Sequence, residues 1–285
     1  MADLSPLNIL RWHVEAGADE TIAERPIDRF AAVTATAAPV SAAMPATAAK
    51  PRAAAPGDAG PARPGLRPAD PAPERVPAVV RGDTPSTRLA QACATVEELR
   101  RAVEAYDGCA LKRSCQRTVF ADGNPKARVM LIGEAPGREE DEQGLPFVGA
   151  SGKLLDRMLA SIGLDRDTAY ITNVIFWRPP GNRKPEPAEV ELCLPFMEKH
   201  VELVDPAVMM FLGGAAASAL LGRSEGVTKL RGRWFDYSAP GLARPIPSLP
   251  TYHPAYLLRT PSHKKEAWKD LLLLRRKLDT LGVTH

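Results

Sequence analysis

Apolar residues in the second two-thirds of this chain fall into two alternating patterns. Short unbroken runs, Val129 to Ile132, Ala169 to Val174, Ala207 to Leu212 and Ile246 to Thr251, have the length and composition of buried strands. Between them the apolar positions take helical spacing, which predicts helices over Ser151 to Ile162 (ending at Gly163), about Ala188 to Val204, and Ala215 to Leu221. Thr95 to Tyr106 reads as an earlier helix, with Thr95 as its cap and Glu98 three positions on. Thr260-Pro261 introduces a last one, Ser262 to Leu281, and a hairpin is expected around Trp234 to Tyr237. Strands separated by helices imply parallel pairing with right-handed crossovers. The fold expected is therefore a three-layer α/β/α sandwich on a central four-stranded parallel sheet.

The first strand breaks at Gly133-Glu134-Ala135-Pro136-Gly137, where two glycines and a proline force a turn. An acidic cluster follows (Glu139, Glu140, Asp141, Glu142), then Pro146-Phe147-Val148-Gly149. A rigid, carboxylate-bearing loop at the C-terminal edge of a parallel sheet is where an open α/β fold places its ligand.

Ahead of this region the pattern fades. Between Ala31 and Val80 the chain is mostly Ala and Pro, with ten of the 28 prolines, too little apolar surface to offset its ordering entropy. The organisation expected is a short helical segment over residues 1–30, a disordered linker over 31–87 and one domain over 88–285. In the first segment Leu7, Leu10 and Val14 share a helical face within Leu7 to Ala16, preceded by Ser5-Pro6. That helix is either a docking peptide or a loosely held element with no separate role. No apolar stretch approaches the roughly 20 residues of a membrane span. The N-terminus carries acids and a proline where a signal peptide needs a basic start and an apolar core, so a cytoplasmic, monomeric protein is expected. Four irregularly spaced cysteines do not suggest a disulfide framework.

Charge sharpens the picture slightly. Residues 1–87 hold nine Lys and Arg against ten Asp and Glu, whereas residues 88–285 hold 28 against 24. That mild basic excess suits an enzyme that touches a few phosphates, and is far short of a protein that coats nucleic acid. Other motif readings fail. Gly149-Ala150-Ser151-Gly152-Lys153 has the wrong spacing for a phosphate loop, leaving Lys153 as a solvated helix residue; Gly213-Gly214 lacks a dinucleotide fingerprint. There is no G-x-S-x-G and no paired-histidine zinc motif.

Four segments taken in order carry a family resemblance: GEAPGREED with GLPFVGASGKLLD, YITN at Tyr170 to Asn173, RPPGNR at Arg178 to Arg183, and HPAYLLR at His253 to Arg259. Together they resemble the motifs of the family 4 type uracil-DNA glycosylases, over roughly residues 90 to 280. The resemblance implies an enzyme that flips uracil out of single- or double-stranded DNA and hydrolyses its N-glycosidic bond. By that likeness Phe147 is the stacking wall. Asn173 reads O4 and N3-H of the base, and His253 works as a neutral donor to O2 as charge builds there. The backbone amides of Ala135, Pro136 and Gly137 assist at O2, Glu140 sits beside the C5 edge, and Asp141 braces the loop. Glu134 positions water and counters oxocarbenium charge. Leu257 is the implied wedge, and Arg178, Arg183, Lys184, Gly213, Arg259 and Ser262 are the implied DNA contacts, with Lys264 and Lys265 nearby. No lysine stands in a motif position suited to Schiff-base chemistry, and the Arg178 to Pro187 loop lacks the histidine insertion with which a related group traps DNA. Hydrolysis with turnover is expected. The alternatives are a protein that holds uracil or abasic DNA without turnover, and an enzyme for another deaminated base, which Asn173 disfavours.

The family's four-cysteine iron-sulfur set is incomplete in this chain. Cys109 and Cys193 match its first and fourth positions, but Lys112 and Trp177 stand at the second and third; Cys115 and Cys93 are off pattern. A four-iron cluster requires four thiolates. No cofactor is expected, with Trp177 and the Lys112 stem filling the space.

Overall fold

The computed structural model describes residues 73–79 and 81–283. The proposed helix over Leu7 to Ala16 and the Ala/Pro-rich stretch up to residue 72 lie outside the described residues.

Among the described residues seven strands, β1 (Glu74–Arg75), β2 (Ala121–Gly123), β3 (Val129–Gly133), β4 (Ala169–Asn173), β5 (Val208–Leu212), β6 (Phe235–Tyr237) and β7 (Ile246–Thr251), form one sheet in the order β1-β6-β7-β5-β3-β4-β2. The four apolar runs are β3, β4, β5 and β7, and they pair in parallel as β7-β5-β3-β4. The expected four-stranded sheet is corrected to a mixed, seven-stranded one. β6 and β2 pair antiparallel to β7 and β4, and β1 pairs parallel to β6. These three strands are two or three residues long, too short to show any period in the sequence. They cover the open edges of the parallel core.

Helices lie on both faces: α1 (Pro85–Gln91), α2 (Val96–Ala105), α3 (Arg138–Gln143), α4 (Ala150–Ala160), α5 (Pro187–Val204), α6 (Gly214–Leu221), α7 (Val227–Leu230), α8 (Pro254–Arg259) and α9 (Lys264–Thr280). Alternation along β3 shows the layering. Met130 and Ile132 enter a core with residues of α1, α2, α5 and α6, while Val129 and Leu131 enter a second core with α4 and α9. A strand buried on both faces has no polar side, which is why these runs are unbroken in sequence. Thr95 does cap α2: its hydroxyl accepts from the Glu98 N–H at 3.1 Å, and Glu98 accepts from the Ala94 N–H at 2.7 Å. α4 stops where expected, with Gly163 at φ +75° and the Leu164 N–H returning to Leu159 O at 3.0 Å.

The linker boundary also needs correction, because the ordered domain begins before residue 88. β1 joins the sheet, Val76 is buried, and Arg81 reaches Glu191 and Glu198, each at 2.8 Å. Thr84 caps α1, with Pro85 in its first turn. Proline there belongs to a helix start, where its fixed φ is already helical, rather than to a linker.

Strand order decides where ligand can bind. From β3 the chain crosses to β4 on one side, then returns past β3 to β5 and β7 on the other. The crevice of such a sheet opens beyond the C-terminal ends of the strands where the direction reverses. Gly133, Asn173, Leu212 and Thr251 end the four parallel strands there.

Candidate active site

A cavity of about 370 Å³ opens at that edge. The loop after β3 contributes Glu134 to Gly137, Glu140 and Phe147, β4 contributes Asn173, and the residue before α8 contributes His253. Arg183, Lys184 and Arg259 form its basic rim. Ser151, Asn182 and Ala255 also line it; nothing in the sequence had singled them out.

Asn173 is 1% exposed, and its Oδ1 has no hydrogen-bond partner among the described residues. A buried polar atom without a partner carries a desolvation cost of about 1–3 kcal/mol, so an acceptor held this way suits a ligand that donates to it. Gly133 lets Asn173 and Phe147 converge. A Cβ at Gly133 would lie 2.3 Å from Asn173 Oδ1 and 2.6 Å from Phe147 Cζ.

His253 precedes α8 and caps it: its Nδ1 accepts from the Ala255 N–H at 3.1 Å. The ring proton therefore sits on Nε2. Burial, reinforced by the nearby Arg259 charge and opposed by Glu140, lowers its pKa to about 4. At neutral pH the ring is an uncharged donor. It stacks on Phe147 with centroids 5.5 Å apart and planes at 28°. Gly213, at φ +101°, packs beneath it, where a Cβ would sit 3.0 Å from the His253 Cβ. This glycine supports the histidine and does not line the cavity.

Glu134 is held above the ordinary carboxylate range by burial, and Lys184 across the cavity pulls it partly back. Glu140 borders the cavity with both of its oxygens engaged. Its Oε1 accepts from the Val148 and Gly149 amides at 3.0 and 3.1 Å, and its Oε2 from Gly137 at 3.1 Å. Both oxygens thus pin one loop to the other, so the carboxylate is a brace although it borders the cavity. Asp141 is a brace too, accepting from the Gln116 and Arg117 amides at 2.7 and 3.1 Å. The expected trio of amides shrinks accordingly. Pro136 has no N–H, Gly137 gives its own to Glu140, and the Ala135 N–H alone remains.

Leu257 does not project outward. It is 1% exposed and packs in the core with residues of α4 and α9, because α8 turns its Pro254 and Leu257 side inward. Leu258, one position on, is 44% exposed. Two basic candidates are engaged locally: Arg178 donates to Asn182 Oδ1 at 2.7 Å, and Arg183 holds Glu189 with bonds of 2.8 and 2.6 Å. Lys184 and Arg259 have no described side-chain partner, and Ser262 is exposed. His263, read from sequence as an ordinary polar residue, stacks on Tyr252 at 5.0 Å and bonds the Tyr256 hydroxyl at 2.7 Å. It thereby fixes the junction between α8 and α9.

Cys109 and Cys193 are fully buried in one core with Trp177. The two thiols act on each other, which lowers the pKa of Cys109 and, with burial, raises that of Cys193. Trp177 is fully buried, donates to Thr118 Oγ1 at 3.0 Å, and lies against Tyr106 and Phe176. Lys112 is not part of this filling, since its ammonium turns to Glu104 O and to Asp107 at 2.7 Å. Two cysteines, an indole and a lysine engaged elsewhere do not fit a four-iron cluster, which requires four thiolates.

Comparison with known proteins agrees with the motifs. The model of the uracil DNA glycosylase superfamily matches residues 120–272. A type-4 uracil-DNA glycosylase of Sulfurisphaera tokodaii is 36% identical over 195 residues, covering 67% of this chain and 86% of that protein. Those of Saccharolobus solfataricus and Archaeoglobus fulgidus are each 37% identical, covering 62% of this chain and 83% and 89% of theirs.

Proposed function

This chain belongs to the uracil-DNA glycosylase superfamily, and we infer on that premise that it removes uracil from DNA by hydrolysing the N-glycosidic bond, leaving an abasic site. The observation that carries the assignment to this cavity is the buried Asn173 amide with its unpartnered Oδ1. Uracil offers a donor at N3 and an acceptor at O4, which match Oδ1 and Nδ2. Cytosine offers a bare N3 and an exocyclic amine, the reverse pattern, and would leave both amide groups facing like partners.

The base leaves the stack to reach this pocket, where Phe147 forms its flat wall. As the bond from C1′ to N1 breaks, its electrons move onto the ring, and charge grows at O2. His253 Nε2–H and the Ala135 N–H meet that charge. A neutral donor placed where charge develops stabilises the transition state without first giving up its proton. Glu134 faces the sugar side, where its anionic form counters the oxocarbenium carbon and orients the water that adds to C1′. Lys184 opposes the effect of burial and so favours the ionised form. Arg259, Lys184 and the Ser262 turn supply phosphate contacts, and Leu258 takes the wedge position that Leu257 cannot. The reading needs no iron-sulfur cluster, and the buried Trp177 at the third ligand position supports that.

Release of uracil from a single-stranded oligonucleotide with one uracil, read by alkaline cleavage, tests the reading. Many turnovers per protein are expected, from protein purified without air that carries neither iron nor acid-labile sulfide. Binding without cleavage would make the protein a damage binder instead, and stoichiometric iron would overturn the cluster-free core.

A further inference from the structure

We propose that Arg166 is the positioning residue of the base pocket, acting through the main chain of Phe147. The proposal rests on reading Phe147 as the wall against which the base stacks.

Phe147 holds an unusual backbone. Its φ is +55°, a region that a bulky L-residue rarely adopts and that persists only where the surroundings hold it. Arg166 is what fixes it from outside. One arm of its guanidinium donates to Phe147 O at 2.5 Å, and the other to Pro146 O at 3.2 Å. Two carboxylates hold the guanidinium itself: Asp122 on β2 at 2.5 Å and Asp156 on α4 at 3.0 Å. Gly152 closes the arrangement from below, since a Cβ there would fall 1.7 Å from Phe147 O. The arginine in turn rides on a stiff turn, in which Asp165 Oδ1 accepts from the Asp167 and Thr168 amides at 3.0 and 2.9 Å.

The planar fork matters here. A guanidinium can serve two successive carbonyls and two carboxylates at fixed angles, whereas an ammonium is a point charge on a flexible stem. Arg166 does not itself line the cavity and reaches it only through the Phe147 carbonyl. Its effect is transmitted through the orientation of one aromatic ring.

Arg166→Lys in the full chain keeps the charge opposite Asp122 and Asp156 but loses the fork. The expected result is a rise in the inhibition constant of free uracil and a fall in single-turnover rate, on the order of tenfold to a hundredfold, as for a small misplacement of a positioning group. Millimolar guanidinium should restore part of the rate to Arg166→Ala. On a Phe147→Ala background, Arg166→Lys should add little, because both changes act on one element. Gly152→Ala, which displaces the same carbonyl without touching the arginine, should reproduce the uracil-binding defect. Unchanged uracil inhibition and rate in Arg166→Lys, or a full additive loss on the Phe147→Ala background, would overturn the proposal. If Phe147→Ala alone left uracil inhibition unaltered, the wall reading itself would fall, a result distinct from either of these.

Discussion

In the proposed reading Asn173 and His253 divide the recognition of the base between a fixed amide and a neutral imidazole, and each is fixed by a neighbour. Gly133 gives the amide room at the price of any side chain there, and the Ala255 N–H commits His253 to one tautomer. Removing the donor by His253→Ala should lower the single-turnover rate by about a hundredfold to a thousandfold, with little change in melting temperature. The pH dependence belongs to another residue. His253 titrates near 4, so its protonation does not set the acid limb at ordinary pH. Glu134 sits above the usual carboxylate range through burial, and in its proposed role acts in the ionised form, so activity should fall on acidification before an ordinary carboxylate would titrate. Lys184 lowers that pKa. Lys184→Ala therefore should move the acid limb of the rate profile to higher pH, and an unmoved limb would remove Glu134 from its assigned role. These residues were legible in sequence because each lies in a motif. Arg166 was not: it stands outside every motif, and its partners Pro146, Phe147, Asp122 and Asp156 are between 10 and 44 positions away.

At the level of elements, loops do the positioning and carboxylates do much of the tying. Glu140 and Asp141 looked in sequence like one acidic cluster, yet each accepts backbone amides from a separate segment. Sequence spacing could not show this, because both sets of amides are brought in by the fold. α8 separates two neighbouring leucines of one motif, one buried and one exposed. Its first turn is capped by His253, and a helix begun there turns Pro254 and Leu257 toward α4 and α9. Leu257→Ala should leave a core cavity and cost about 2–5 kcal/mol of stability. Leu258→Ala should leave the melting temperature unchanged and reduce activity on duplex DNA more than on single strands, where no partner strand needs holding apart. If instead Leu257→Ala spared stability and selectively lost duplex activity, the wedge would belong to Leu257 after all.

Across the described residues the parallel core was readable, and of its borders only the hairpin strand β6, expected around Trp234 to Tyr237, was. Four buried strands announce themselves by unbroken apolar runs, whereas β1 and β2 are defined by the neighbours they pair with. The same burial that builds the core places an ionisable group where water cannot reach it. His200 is fully buried between Phe120, stacked at 4.4 Å, and Tyr170, whose hydroxyl meets its Nε2 at 2.8 Å. Burial, with Arg100 adding to it, lowers its pKa from 6.5 to about 3. In the unfolded chain the ring takes a proton below about 6.5, while the folded chain resists until about 3. The unfolded state thus binds more protons throughout that window, and stability must fall as pH is lowered across it. The slope from this one group approaches about 1.4 kcal/mol per pH unit, and His253 adds a contribution of the same sign down to about 4. His200→Gln keeps a partner for the Tyr170 hydroxyl and removes the titration. Its melting temperature should be lower than wild type at pH 7.5 but should decline less steeply between pH 6.5 and 4; parallel declines would show that acid sensitivity arises elsewhere in the core.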